Sequence, residues 1–110
     1  MPSPWETFVD NLVSGGKQIA KDELKNLLTF AKEDANDFIR SQGTKLERYL
    51  NELALGQITP EQFEILVKDL KSLTEMRALE MQVAAKASAQ RLIVGITSLI
   101  IEGLLTAIKI

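Results

Sequence analysis

The chain has 110 residues, 13 basic and 15 acidic side chains, a formal net charge of −2, and 45% apolar residues. That length and apolar content predict a single folded domain, and the interspersed, nearly balanced charge disfavours nucleic acid, which is held by a basic face that displaces counterions. There is no histidine and no cysteine, so the commonest general base and metal ligand and every disulfide are excluded. With no P-loop, no nucleophile set and no glycine-rich dinucleotide turn either, the expectation is a non-enzymatic protein that uses no cofactor.

The N-terminal stretch MPSPWETFVDNLV has no basic segment followed by an apolar run, which argues against a secretory signal. The expected location is cytoplasmic, or membrane-associated through the C-terminal helix. Ser3 and Pro4 suit the N-cap and first position of a helix, and Trp5, Phe8, Val9, Leu12 and Val13 follow at helical spacing. Trp5 suits either an interfacial anchor or a hydrophobic cap on a core. Gly15-Gly16 is the first weak point. Lys17, Lys21 and Lys25 then recur every four residues, and the acids interleaved among them make a solvated face the simpler reading than a lipid-headgroup contact.

Leu24, Leu28, Ala31, Ala35 and Phe38 alternate spacings of four and three, and the stripe resumes at Leu46, Tyr49 and Leu53. This is a heptad pattern with one extra residue near Gln42-Gly43, read as a stutter. A break at Gly43 is the alternative, since Thr44 and Glu47 are placed for a capping box. Glu33, Asp34 and Asp37 form an acidic cluster in this stretch. It reads as a solvated face, because the carboxylate sites of helical bundles draw on a Glu-x-x-His pair that this chain lacks.

Gly56 to Phe63 carries the strongest punctuation. Gly56 suits a left-handed helix end, Thr59 an N-cap, Pro60 the first helical position and Gln62 the second half of a capping box, with Ile58 and Phe63 placed as a hydrophobic staple. Beyond it there is no proline and no glycine before Gly95, which predicts a helix of about 50 residues, ~75 Å long at 1.5 Å per residue. The resulting fold class is all-α: one domain over residues 1–110, a long antiparallel two-helix hairpin, coiled-coil-like and oligomerising, with its turn near residues 56–59.

Residues 92–110 read LIVGITSLIIEGLLTAIKI, with Glu102 and Lys109 as the only charges. The segment is close to the ~20 residues that span a bilayer core, and two helices cannot bury a helix that is apolar nearly all round. The expected contact surface, with other copies or with lipid, is Leu92, Ile93, Ile96, Leu99, Ile100, Leu104, Leu105 and Ile108. Gly95, Ser98, Glu102, Thr106 and Lys109 share one narrow polar face. Glu102 is expected to set register or line a lumen, paired with Lys17 or Lys21 of the first helix. The expected partner is a second copy of the chain, with membrane lipid as the second candidate. The alternative is a soluble adaptor or structural subunit of a phage-like or secretion-related particle, docking its C-terminal helix on another protein.

Overall fold

The computed structural model describes residues 3–12 and 18–109, and all regular structure among them is helical. The elements are α1 (Pro4–Leu12), α2 (Gln18–Lys32), α3 (Asp37–Ala54), α4 (Pro60–Ala78) and α5 (Val83–Gly95). From α5 the chain continues without a break through a π-helical stretch, Ile96–Leu104, into α6, Leu105–Lys109. Residues 83–109 together form a C-terminal arm. The Gly15-Gly16 weak point and Lys17 lie outside the described residues.

Local chemistry accounts for four of the helix ends. Pro4 opens α1, and the Ser3 amide donates to Glu6 Oε1 at 3.5 Å, the reach-back half of a capping box. At the start of α3 the Asn36 side chain accepts the Ile39 amide at 3.1 Å, and Arg40 donates to the Asp34 and Ala35 carbonyls at 2.8 and 3.1 Å. Between α3 and α4, Gly56 adopts φ +74°, where a Cβ would be strained. Its amide donates to Leu53 O at 3.1 Å and that of Gln57 to Glu52 O at 2.8 Å, the paired bonds of a Schellman ending. Thr59 Oγ1 accepts the Gln62 amide at 3.1 Å while Gln62 Oε1 accepts the Thr59 amide at 2.9 Å, with Pro60 in the first turn.

The expected turn is present at residues 55–59, but the chain on either side of it is not one continuous helix, so the long two-helix arrangement expected from the sequence is not what the chain adopts. The first half is interrupted at residues 33–36 and the second at 79–82. Numbered from the turn, the two interruptions stand at the same level, and both halves of the hairpin bend there. Gln42 on α3 reaches Leu70 and Thr74 on α4, and Asp34 reaches Ser88 on the C-terminal arm, so facing residues follow the order of a simple hairpin. The bend adds a second layer of contact. Lys32 of α2 meets Glu47 of α3 at 2.9 Å, Lys21 of α2 meets Asp10 of α1 at 3.0 Å, and the Trp5 amide of α1 donates to Asn51 Oδ1 of α3 at 3.2 Å. The longest dimension is 41 Å, well short of the ~75 Å expected of a straight arm.

Close packing replaces the proposed break at Gly43. α3 runs through it, and a Cβ there would fall 2.7 Å from Ala31 Cβ and 3.1 Å from the Lys32 nitrogen. α2 and α3 approach where only glycine fits.

The buried positions repeat every eleven residues, three turns of a nearly straight helix. Leu28, Ile39 and Leu50 are one such series in the first half, and Val67, Ala78, Ala89 and Ile100 another in the second; all seven are buried. Leu24, Leu28, Ala31, Leu46 and Leu53 of the heptad stripe are buried as expected, and the register shifts by one only around Phe38 and Tyr49. Ala35 is exposed and Phe38 and Tyr49 are half-buried, while Ile39 and Leu50 lie in the core. Both series run in phase across a break in the helix.

Candidate assembly surface

The sequence predicts that the apolar arm presents its side chains to other copies or to lipid. In the folded chain most of them form the protein's own core. Leu92, Ile96 and Ile100 are fully buried, Ile93, Leu104 and Leu105 nearly so, and Leu99 and Ile108 are partly buried against the same cluster. The shortfall in burial foreseen for a two-helix hairpin is met by folding the hairpin in half, which brings α2 and α4 onto the arm.

Gly95 makes that docking close: a Cβ on it would stand 2.5 Å from Leu27 Cδ2 of α2. Beside this point a shallow groove of about 360 Å³ is lined by Leu27, Arg91, Val94 and Leu99 among others. The Arg91 guanidinium lies 4.0 Å from the Phe30 ring centre, a cation–π contact across the same seam. Ser88 Oγ donates to Asp34 Oδ1 at 2.7 Å, and the Asn36 amide donates to Asp34 Oδ2 at 2.9 Å. Asp34 of the acidic cluster thus ties the first bend to the arm. Glu33 and Asp37 are exposed, and Asp37 pairs with Arg40.

From Ile96 the helix widens to i→i+5 bonding, with the Leu105 amide donating to Ile100 O. Wider turns carry about one more residue each. That shift brings Leu104 and Leu105 inward together, and Gly103, the eleven-residue successor of Leu92, outward. The polar face is the solvent face: Ser98, Glu102 and Thr106 are exposed.

Glu102 is therefore not a buried register-setting group in this conformation, and Lys21 is engaged elsewhere. Lys21 donates to Asp10 at 3.2 Å. That hydrogen bond, helped by the charges of Asp10, Asp22 and Glu6 and opposed by desolvation, holds its ammonium above the ordinary lysine range. The polar pair inside the core is instead Gln42 and Thr74. Gln42 Nε2 donates to Thr74 Oγ1 at 3.0 Å and to Leu70 O at 3.2 Å, and Thr74 Oγ1 donates back along α4 to Leu70 O at 2.8 Å. This bridge between α3 and α4 penalises any slip of the hairpin that would leave a buried amide unpaired. Its signal in the sequence is a polar residue interrupting an apolar stripe, which reads as a stutter when α3 is considered alone. Trp5 is likewise internal, 1% exposed, and caps the core.

Among the described residues, most of the large apolar side chains that the fold leaves uncovered lie on α4 and at the second bend, with Leu55 at the first turn and Val94 on α5 besides. Ile65 and Met76 are exposed on the face of α4 opposite its core residues Phe63, Val67, Leu70 and Thr74. Leu79 and Val83, on either side of the bend, are 80% and 87% exposed. Among the described residues, Val83–Ile108 is the one helix long and apolar enough, by length and composition, to cross a membrane, and less than a third of its most apolar window is buried. No known protein family, curated protein or solved structure matches the chain.

Proposed function

We propose that this is a non-enzymatic, self-assembling helical protein whose C-terminal arm mediates homo-oligomerisation and enters membranes. One observation carries the reading. The element with the length and composition of a membrane span, Val83–Ile108, is also the element whose apolar face completes the core. The folded chain stores its most apolar helix against itself and turns the polar stripe of Ser98, Glu102 and Thr106 to water. Released from the bundle, the same helix needs new apolar cover, from other copies or from a bilayer. In a membrane-inserted multimer the polar stripe then faces a lumen or a neighbouring helix, where a carboxylate such as Glu102 is tolerated better than against lipid.

Light scattering of the purified protein over a range of concentrations, followed by flotation and dye release with neutral and anionic liposomes, tests this reading. The expected results are a discrete mass that is a multiple of the 12.2 kDa chain, and co-flotation with vesicles. A 12.2 kDa species at every concentration, with no flotation and no release, would overturn it.

A second reading, a soluble adaptor, is favoured by the uncovered α4 face of Ile65 and Met76. A flat apolar strip on a folded helix suits an amphipathic partner helix. Met76→Glu separates the two: it abolishes partner binding by an adaptor and leaves flotation driven by the arm intact.

A further inference from the structure

The bend at residues 79–82 lacks the chemistry that stops a helix. From Ala78 to Ala87 the sequence is ALEMQVAAKA, free of glycine and proline and rich in strong helix formers. Leu79 keeps helical backbone, φ −62° and ψ −26°, and the amides of Leu79, Glu80 and Met81 still donate three residues back along the chain. The chain leaves the helix at Gln82, φ −71° and ψ 164°, and Gln82 makes no side-chain cap bond to α5. A turn built by local sequence would show a cap, a glycine or a phase change in the apolar pattern. Here Val67, Ala78, Ala89 and Ile100 keep their eleven-residue spacing through the bend.

The outer face has the same continuity. On a straight helix at 100° per residue, Ile65, Met76, Val83 and Val94 fall within a stripe about 20° wide, opposite the core series. All four are exposed in the bent form, where the turn divides the stripe between two antiparallel helices.

We propose that α4 and the C-terminal arm straighten at residues 79–82 into one continuous helix, and that the released arm docks in the groove vacated by the arm of a second copy of this chain, giving a two-fold dimer by exchange of arms. This rests on the self-assembly reading above and specifies its mechanism. The occupant follows from complementarity already present. The groove where Gly95 meets Leu27, Arg91 meets Phe30 and Ser88 meets Asp34 is shaped for this arm, and a second copy offers the identical groove. The packing and polar pairs that hold the arm in the closed chain re-form across the two-fold axis. The closed and exchanged forms therefore differ mainly at the hinge, where the sequence favours the straight form. The exchanged dimer also extends the outer apolar stripe unbroken over both halves of the helix.

Val83→Pro tests the exchange. Val83 is the first helical residue of α5, it is 87% exposed, and Gln82 before it already has the extended backbone that a residue preceding proline prefers. Proline therefore fits the bent chain. In a continuous helix it removes the bond to the Leu79 carbonyl and clashes with it, so dimerisation is expected to weaken by ~100-fold or more. Val83→Ala, which favours the straight helix, should dimerise at least as tightly as the wild type. Circular dichroism and thermal melting confirm that both variants fold. Spin labels on cysteines replacing Ser72 and Gln90, both exposed in a chain without other cysteines, give an independent reading. With one labelled chain diluted into unlabelled protein, the straight helix separates the two backbones by ~27 Å, against ~10 Å for packed neighbouring helices. A Val83→Pro dimer as tight as that of Val83→Ala, or a short label distance in the dimer, would overturn arm exchange while leaving self-assembly standing. Assembly seen only with liposomes would assign the released arm to lipid and also overturn it. A wild-type chain that stays monomeric under every condition would overturn both readings.

Discussion

The two turns of the second half of the molecule are built differently. At residues 55–59 the chain reverses through a Schellman ending at Gly56 and a complete capping box at Thr59 and Gln62, with Pro60 behind it. At 79–82 it reverses with none of these, and α5 begins on an uncapped Gln82. The first turn is written in its own residues. The second is held by what lies beyond it, the packing of Leu92, Ile96 and Ile100 into the core. A turn held only by tertiary packing opens when that packing is removed or supplied from elsewhere.

Substitutions on the arm should affect the second turn most. Leu92→Ala empties a fully buried site and is expected to lower stability by about 2–5 kcal/mol in chemical denaturation. Val94→Ala, two residues away on the exposed side, should stay within about 0.5 kcal/mol of the wild type. Equal losses for the pair would mean that the arm is not docked as described.

Removing a cap separates the two turns next. Thr59→Ala should cost about 0.5–2 kcal/mol, because it leaves the Gln62 amide without its acceptor. Gln82→Ala should cost almost nothing, because no cap bond exists to lose. Gln82→Asp runs the comparison in reverse: it supplies a cap to a helix that lacks one and should stabilise the bent monomer by about 0.5–1 kcal/mol. A midpoint unchanged by Gln82→Asp would show that the second turn does not have the backbone of a helix start.

The smallest effect concerns the first half. The Lys21–Asp10 pair between α2 and α1 raises the lysine above its ordinary value. A raised lysine binds its proton more tightly in the folded state, so its stabilisation is fully present below the unfolded-state value, ~10.4, and is lost as the pH rises through the higher folded-state value. Because the pair is at the surface, the loss should be slight and further reduced by salt. Lys21→Met should reduce the salt-sensitive part of the alkaline denaturation curve by this pair's share, leaving that of pairs such as Lys32–Glu47.

Legibility in the sequence followed the same division. The all-α class and the hairpin turn could be read because Gly56, Thr59, Pro60 and Gln62 act within a few residues of one another. The start of α3 carries a local signal in Asn36, masked by an apolar stripe that continues at helical spacing on both sides of it. The bend at 79–82 has no local signal, and one continuous helix is what its propensities dictate. The consequence reaches the candidate site. A straight arm must bury its apolar side chains against other copies or lipid, whereas a bent one buries them against α2 and α4. Glu102 stands out in the sequence as the polar group inside an apolar helix, but its face is the solvent face once the helix is docked. Gln42 is the polar residue inside, recognisable only from the register of both helices together.

Native-state hydrogen exchange at low protein concentration tests most directly whether the arm is held by its tertiary contacts and not by the turn that precedes it. Amides of residues 83–109 are expected to exchange through a concerted opening of lower free energy than that of α3 and the first turns of α4, where caps and the Gln42–Thr74 bridge act. Gln82→Asp, which stabilises the bent form against both the opened and the unfolded chain, should raise that opening free energy and the value at the slowest amides by the same about 0.5–1 kcal/mol. Exchange of all helices only by global unfolding, with the arm as protected as α3, would contradict the account.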